Sequence, residues 1–243
     1  MSEAWRQLGT PRAGGILLIA DHASNHVPAD IDLCIDPALL INHIAVDIGV
    51  AEVAALLVAR GAVDAAILGG VSRLVVDCNR EEDAPGVLPI ASDGHAVPGN
   101  ALDDAGREAR LARFFRPYHA HIEATIAAHR PAMILSLHSF TPSLAAHADQ
   151  ARPWQVGVLY NDDDRLAAPA IAALAAEGLN AGDQLPYSGK LLNATMNRHA
   201  EGNAIPYVGI EMRQDLIGDS AGQALFAERL ARMIAKVALN IAS

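Results

Sequence analysis

The segment GILLIADHASNHVPAD, residues 15–30, begins as an apolar run and breaks off into Asp21, His22, Asn25 and His26. A loop after a buried strand is usually hydrophilic filler, but this one holds two imidazoles, a carboxylate and an amide within six residues. A further histidine, His138, lies at the end of the apolar run AMILSL, and Glu211 interrupts another, YVGIEM, where an unpaired carboxylate would be costly. Two imidazoles with one carboxylate make an open zinc site that leaves a position for water. Zinc lowers the pKa of that water from about 16 to about 7 and polarises a carbonyl. A nearby carboxylate base adds about a hundredfold to ten-thousandfold by shuttling the proton to a leaving nitrogen. The chemistry to expect is metal-assisted amide hydrolysis, with His22 supplying the first ligand.

Taken singly, each residue has a plainer role. A histidine after a strand is more often a hydrogen-bonded structural residue than a ligand. Asp47 opens a helical pattern, so an N-cap or a favourable charge at the positive end of the dipole serves as well as ligation. Period-two alternation puts Glu211 and Arg213 on one strand face, which reads either as a buried ion pair or as a base beside a substrate-binding cation. Their common position argues for function. His22, Asn79-Arg80, His138, Asn161 and the pair Glu211 and Arg213 all fall at the ends of apolar runs, and in open α/β sheets ligands bind beyond the carboxyl ends of strands.

The elements that must position them alternate. Strand patterns cover residues 16–20, 65–69, 72–77, 132–137, 155–160 and 207–212; helical patterns cover 47–60, 101–130, 164–177 and 220–241, with a bend expected near Pro117. This alternation predicts an α/β layered fold with a largely parallel sheet, in one domain over residues 1–243. Two stretches rich in Gly, Pro and Asn, 81–100 and 184–204, are long for loops in a compact domain and suit binding loops.

Other motifs fail on context. GDSAG (218–222) has the form of a nucleophile elbow, but no histidine follows it, and Ser220 with Gln223 reads as a capping box. HIE (121–123) lacks the cysteine pair of the zinc deaminases. No glycine-rich phosphate loop is present, so nucleotide use has no support. The net charge of −10 over 243 residues argues against nucleic acid or an anionic membrane as partner. Two cysteines, Cys34 and Cys78, give no disulfide framework. No apolar run reaches the length of a membrane span, and ILLIA is too short for a signal core, so a cytoplasmic protein is expected, with a homo-oligomer left open.

The pieces DHASNHVP, SRLVVDCNR, LSLHSFTP, RPWQVGVLYN, PYSGKLLNATMNRHA and VGIEMRQDLI together resemble the N-formylglutamate amidohydrolase family over about residues 14–217. The resemblance implies a three-layer α/β/α sandwich with a largely parallel mixed sheet, like that of the zinc carboxypeptidases and aspartoacylases. It implies hydrolysis of N-formyl-L-glutamate to L-glutamate and formate, late in histidine catabolism, with one zinc ion as cofactor and a small anionic N-acyl amino acid as substrate. By position, His22 and His138 are the implied zinc imidazoles and Glu211 the base that activates the water. Asn79 and Arg80 resemble the carboxylate-binding pair of the carboxypeptidases. Arg73 and Arg213 are expected to hold the second carboxylate or the oxyanion, and His199 to assist. The carboxypeptidase pattern puts a ligating Glu three residues after the first histidine, and here that residue is Asn25. Asp47 is the expected replacement, with Asp21, Asp77 and His26 as alternatives. The competing functions are a deacylase of another N-acyl amino acid and a non-catalytic binder of acidic amino acids.

Overall fold

The computed structural model describes residues 3–145, 149–239 and 241. Among these the strands are β1 (Trp5–Gly9), β2 (Ile16–Ala20), β3 (Ala65–Gly69), β4 (Ala91–Ser92), β5 (His95–Ala96), β6 (Met133–Phe140), β7 (Val156–Leu159), β8 (Ala181–Asp183) and β9 (Tyr207–Arg213). The helices are α1 (Val50–Ala59), α2 (Asp104–Arg110), α3 (Arg116–Ala128), α4 (Ala167–Ala176), α5 (Ala194–His199) and α6 (Ser220–Leu239). Seven strands form one mixed sheet in the order β1-β3-β2-β6-β9-β7-β8, and β4 with β5 makes a separate hairpin. The central strands β3, β2, β6 and β9 run parallel, whereas β1 pairs antiparallel to β3 and β7 antiparallel to β9, with β8 parallel to β7.

Helices cover both faces of this sheet, which explains why the central strands read as nearly continuous apolar runs. Alternate residues serve two cores. Leu18, Leu68, Leu135 and Ile210 pack with α1, α4 and α6 in one. Leu17, Ile67, Ile134 and Tyr207 pack in the other, with Phe114 on the turn between α2 and α3 and with Tyr118 and Ile122 on α3. The result is a three-layer α/β/α arrangement. No helix of the described residues is long and apolar enough to cross a membrane.

The expected strands at 16–20 and 65–69 are present with those ends, and those at 132–137, 155–160 and 207–212 with shifted ends; the one at 72–77 is not. Leu74, Val75 and Val76 are buried in the second core without a strand partner. Side chains satisfy the backbone instead, as Asn100 Nδ2 donates to Leu74 O, Arg110 Nη1 donates to Val75 O, and Ser72 Oγ accepts from Leu74 N. The β-branched run is therefore a core-filling loop, held by groups far away in sequence. The helical pattern over 101–130 is interrupted by a π-helical turn, Leu111–Phe115, directly before Pro117. Widened turns of this kind occur inside α-helices, and Pro117 has no N–H to donate to the preceding turn.

The chain leaves β2 towards β3 on one side, and β6 is added on the other. The carboxyl ends of β2 and β6 therefore lie at a topological switch point, where open α/β sheets form their ligand crevice.

Candidate metal centre

His22 follows β2 directly, and His138 lies near the end of β6. Asp47 is brought to them by the loop ahead of α1, whose N-cap is Gly49 rather than Asp47. Gly49 sits at φ +81, and a Cβ there would lie 2.3 Å from the Ile217 carbonyl oxygen, so only glycine lets the loop turn this tightly. The loop is fixed to the site by Asp47 N donating to His22 O at 3.0 Å and Ser139 N donating to Asp47 Oδ2 at 3.3 Å.

Asp47 Oδ2 lies 2.8 Å from His138 Nδ1 and 3.4 Å from His22 Nδ1. The two rings stand 5.0 Å apart, centroid to centroid. Donor atoms of these three buried residues fall within 4.8 Å of one another, as a small cation requires. His22 Nδ1 is buried and has no hydrogen-bond partner among the described residues, a costly state for a polar atom.

Each ring turns its other nitrogen towards a carboxylate. His22 Nε2 pairs with Asp77 Oδ1 at 2.8 Å, and His138 Nε2 lies 3.3 Å from Asp21 Oδ2. Asp77 and Asp21 thus sit behind the imidazoles, as orienting groups do behind ligating histidines. They are held differently. Asp77 Oδ2 accepts from Arg73 Nη2 at 2.9 Å and lies 3.6 Å from Arg80 Nε, while Asp21 Oδ1 accepts from the Tyr118 and Thr195 hydroxyls at 2.9 and 2.8 Å. Among the alternatives for the third donor, Asp21 and Asp77 are therefore supports, and His26 and Asn25 are exposed.

In β9, Glu211 is the register partner of His138, on the same face of the parallel ladder. Across the other edge its partner is Gly157 of β7, where a Cβ would come within 3.3 Å of the Glu211 Cβ, so the missing side chain makes room. Glu211 is buried, its Oε2 has no hydrogen-bond partner, and burial pushes its carboxyl up to about 7 against the pull of the His138 charge. The cluster is rich in anionic groups, with Asp21, Asp47, Asp77 and Glu211 facing Arg73 and Arg80. Burial opposes protonation of His138, but hydrogen bonds to Asp21 and Asp47 outweigh it and raise its pKa well above the usual value. Burial and the Arg73 charge likewise oppose protonation of His22, and Asp77 and Asp47 still raise it.

His22, Asp47, His138 and Glu211 line a cavity of about 360 Å³, together with Asn79, Arg80, Asp93, Phe140, Tyr187 and Leu192. Of the expected substrate-binding residues, Arg73, Asn79 and Arg80 line it, although Arg73 is bonded to Asp47 and Asp77. Arg213 does not line it, since its guanidinium turns to Asp215 at 2.8 Å. His199 also lies outside the lining, fully buried on α5, with its Nε2 2.8 Å from His119 Nδ1. Burial lowers His199 to about 4, which keeps it neutral at physiological pH. Asn161 lies at the opposite edge of the sheet because β7 runs antiparallel to β9, and its N–H donates to the Tyr207 hydroxyl. Nothing in the sequence marked Tyr118 or Thr195 as supports.

Residues 14–218 match the family model for N-formylglutamate amidohydrolase. The crystal structure of a gene product from Agrobacterium tumefaciens is similar, with a TM-score of 0.91 at 30% identity, covering 99% of this chain and 96% of that one. The N-formylglutamate amidohydrolase from Ralstonia eutropha shares the fold, with a TM-score of 0.73 at 18% identity over 99% of this chain and 98% of its own. No curated protein matches the sequence. The matched span runs from β2 through β9 and so includes every strand that carries a donor or the buried glutamate; the chain belongs to the N-formylglutamate amidohydrolase family.

Proposed function

We propose that this protein is a metal-dependent amidohydrolase that cleaves N-formyl-L-glutamate to L-glutamate and formate. The observation that carries the reading is the convergence of His22, Asp47 and His138 with Glu211 on the adjacent ladder position. The donor set, two imidazoles and one carboxylate, suits zinc, and a divalent cation would replace the protons that the surrounding carboxylates otherwise draw onto the two rings. When bound, such an ion supplies Lewis acidity that polarises the amide carbonyl and makes water reactive near neutral pH.

The chain's own residues do the rest. Asn79 and Arg80 hold the substrate carboxylate, the guanidinium of Arg80 being partly exposed to the cavity. Glu211 takes a proton from the attacking water and passes it to the departing nitrogen. Arg73 fixes the Asp47 and Asp77 carboxylates and so keeps the third donor and the support behind His22 in place. The non-catalytic alternative rests on the amide at position 25, and the Asp47 carboxylate beside both imidazoles supports the catalytic reading instead.

The deciding measurement is formate release from N-formyl-L-glutamate. Release should stop with a chelator and return with zinc. Zinc-loaded protein that releases none would overturn the substrate assignment and direct the search to other N-acyl amino acids. The support behind His138 is testable apart from turnover. Asp21→Asn keeps the side-chain shape but removes the charge, and should weaken zinc binding about 10- to 100-fold in competition with a chromogenic chelator. Wild-type affinity in that variant would show that Asp21 does not tune the imidazole.

A further inference from the structure

The outer wall of the cavity includes the β4–β5 hairpin, through Ser92 and Asp93. Two residues per strand cannot hold a hairpin in place without tertiary contacts. Its turn, Asp93-Gly94, has φ +40 and +82, the positive values of a type I′ turn. At its base, Val97 N donates to Ile90 O at 2.8 Å and Asn100 Nδ2 donates to Pro89 O at 2.9 Å. At its tip, Asp93 Oδ2 pairs with His43 Nε2 and accepts from Ala145 N, both at 3.0 Å.

One carboxylate oxygen thus joins three segments that are far apart in sequence. His43, Asp93 and Leu144 line the cavity where those segments meet. The Asp93 side chain is only 7% exposed, unusual for a charged residue at a hairpin tip. The turn alone does not explain this, because Asn or Gly meets its backbone requirement equally well. The cavity, at about 360 Å³, is also near the lower end of the roughly 300–1,000 Å³ range of small-molecule sites. The hairpin is one of the walls that bound the space left for an additional residue or a bulky acyl group.

We propose that Asp93 is a specificity-determining residue: by pinning the hairpin tip to His43 and Ala145, it restricts the site to small free N-acyl amino acids. This rests on the amidohydrolase reading of the same cavity. The proposal concerns the wall, since the pairing with His43 and Ala145 is made outside the group His22, Asp47, His138 and Glu211.

The test compares kcat/KM for N-formyl-L-glutamate, N-benzoyl-L-glutamate and N-formyl-L-glutamyl-L-alanine, alongside hydrogen exchange of the hairpin amides. Asp93→Gly keeps the positive-φ turn and removes only the carboxylate. It should raise the efficiency for at least one bulky substrate relative to N-formyl-L-glutamate by about tenfold or more, the scale of a pocket contact. Residues 91–96 should lose exchange protection in the same variant. Asp93→Asn retains an oxygen able to accept both hydrogen bonds, and should keep the wild-type selectivity and protection. Unchanged protection in Asp93→Gly would overturn the pinning. Lost protection with unchanged selectivity would overturn the specificity role. Absence of formate release from the wild type would instead count against the proposed function, while the exchange comparison would still judge the pin.

Discussion

Glu211→Gln should turn over N-formyl-L-glutamate about a hundred- to ten-thousandfold more slowly than the wild type, the range spanned by loss of a general base. The substitution is nearly isosteric, and Glu211 Oε2 has no hydrogen-bond partner among the described residues, so no group of the protein loses an acceptor when that oxygen becomes an amide nitrogen. Backbone pairing with β6 and the space opposite Gly157 do not depend on the charge. The loss should therefore fall on kcat, with KM and zinc content nearly unchanged, because the groups assigned to substrate and metal are left in place. Steady-state formate release with metal analysis on the same preparation would check this. Activity within a few-fold of wild type would remove Glu211 from the role of base.

Asp47→Ala should lose its metal on dialysis and with it all measurable turnover. The reason is geometric: Asp47 Oδ2 approaches Nδ1 of both imidazoles, whereas Asp21 and Asp77 face the opposite nitrogens. No other carboxylate stands between the rings in the group of donors that converge. Removing it leaves two imidazoles, too few for the three protein ligands of a catalytic zinc site. His22→Ala and His138→Ala should do the same, whereas Asn25→Ala, at an exposed position, should retain metal. Elemental analysis of the dialysed proteins separates the cases. Full zinc retention by Asp47→Ala would return the third-ligand assignment to Asp21 or Asp77.

Much of the site was legible because its key residues interrupt apolar runs. His22, His138 and Glu211 occur where burial alone would place Leu or Val, and the structure brings all three to one cavity. Asp47 was harder to read. Its sequence context is that of a helix start, and its approach depends on Gly49 and on hydrogen bonds to His22 and Ser139. Asp21 and Asp77 have a donor's chemistry, and only the direction of each imidazole makes them supports. Arg213 was misleading because period two gives the face of a side chain but not its partner, and Asp215 lies two residues on. The failed strand at 72–77 follows from the same limit. Val75 and Val76 favour a sheet, but their burial is provided by core packing and their loop by Ser72, Asn100 and Arg110.

The register of β6 against β9 has an arithmetical consequence for the gene. His138 and Glu211 occupy one face of the ladder, while Leu137 and Ile210, one residue earlier, point into the core beneath α1, α4 and α6. Deleting a single residue inside either strand exchanges odd for even positions from that point on, sending an ionisable group into the core and a leucine or isoleucine into the cavity. Catalysis and stability would fail together, in one step.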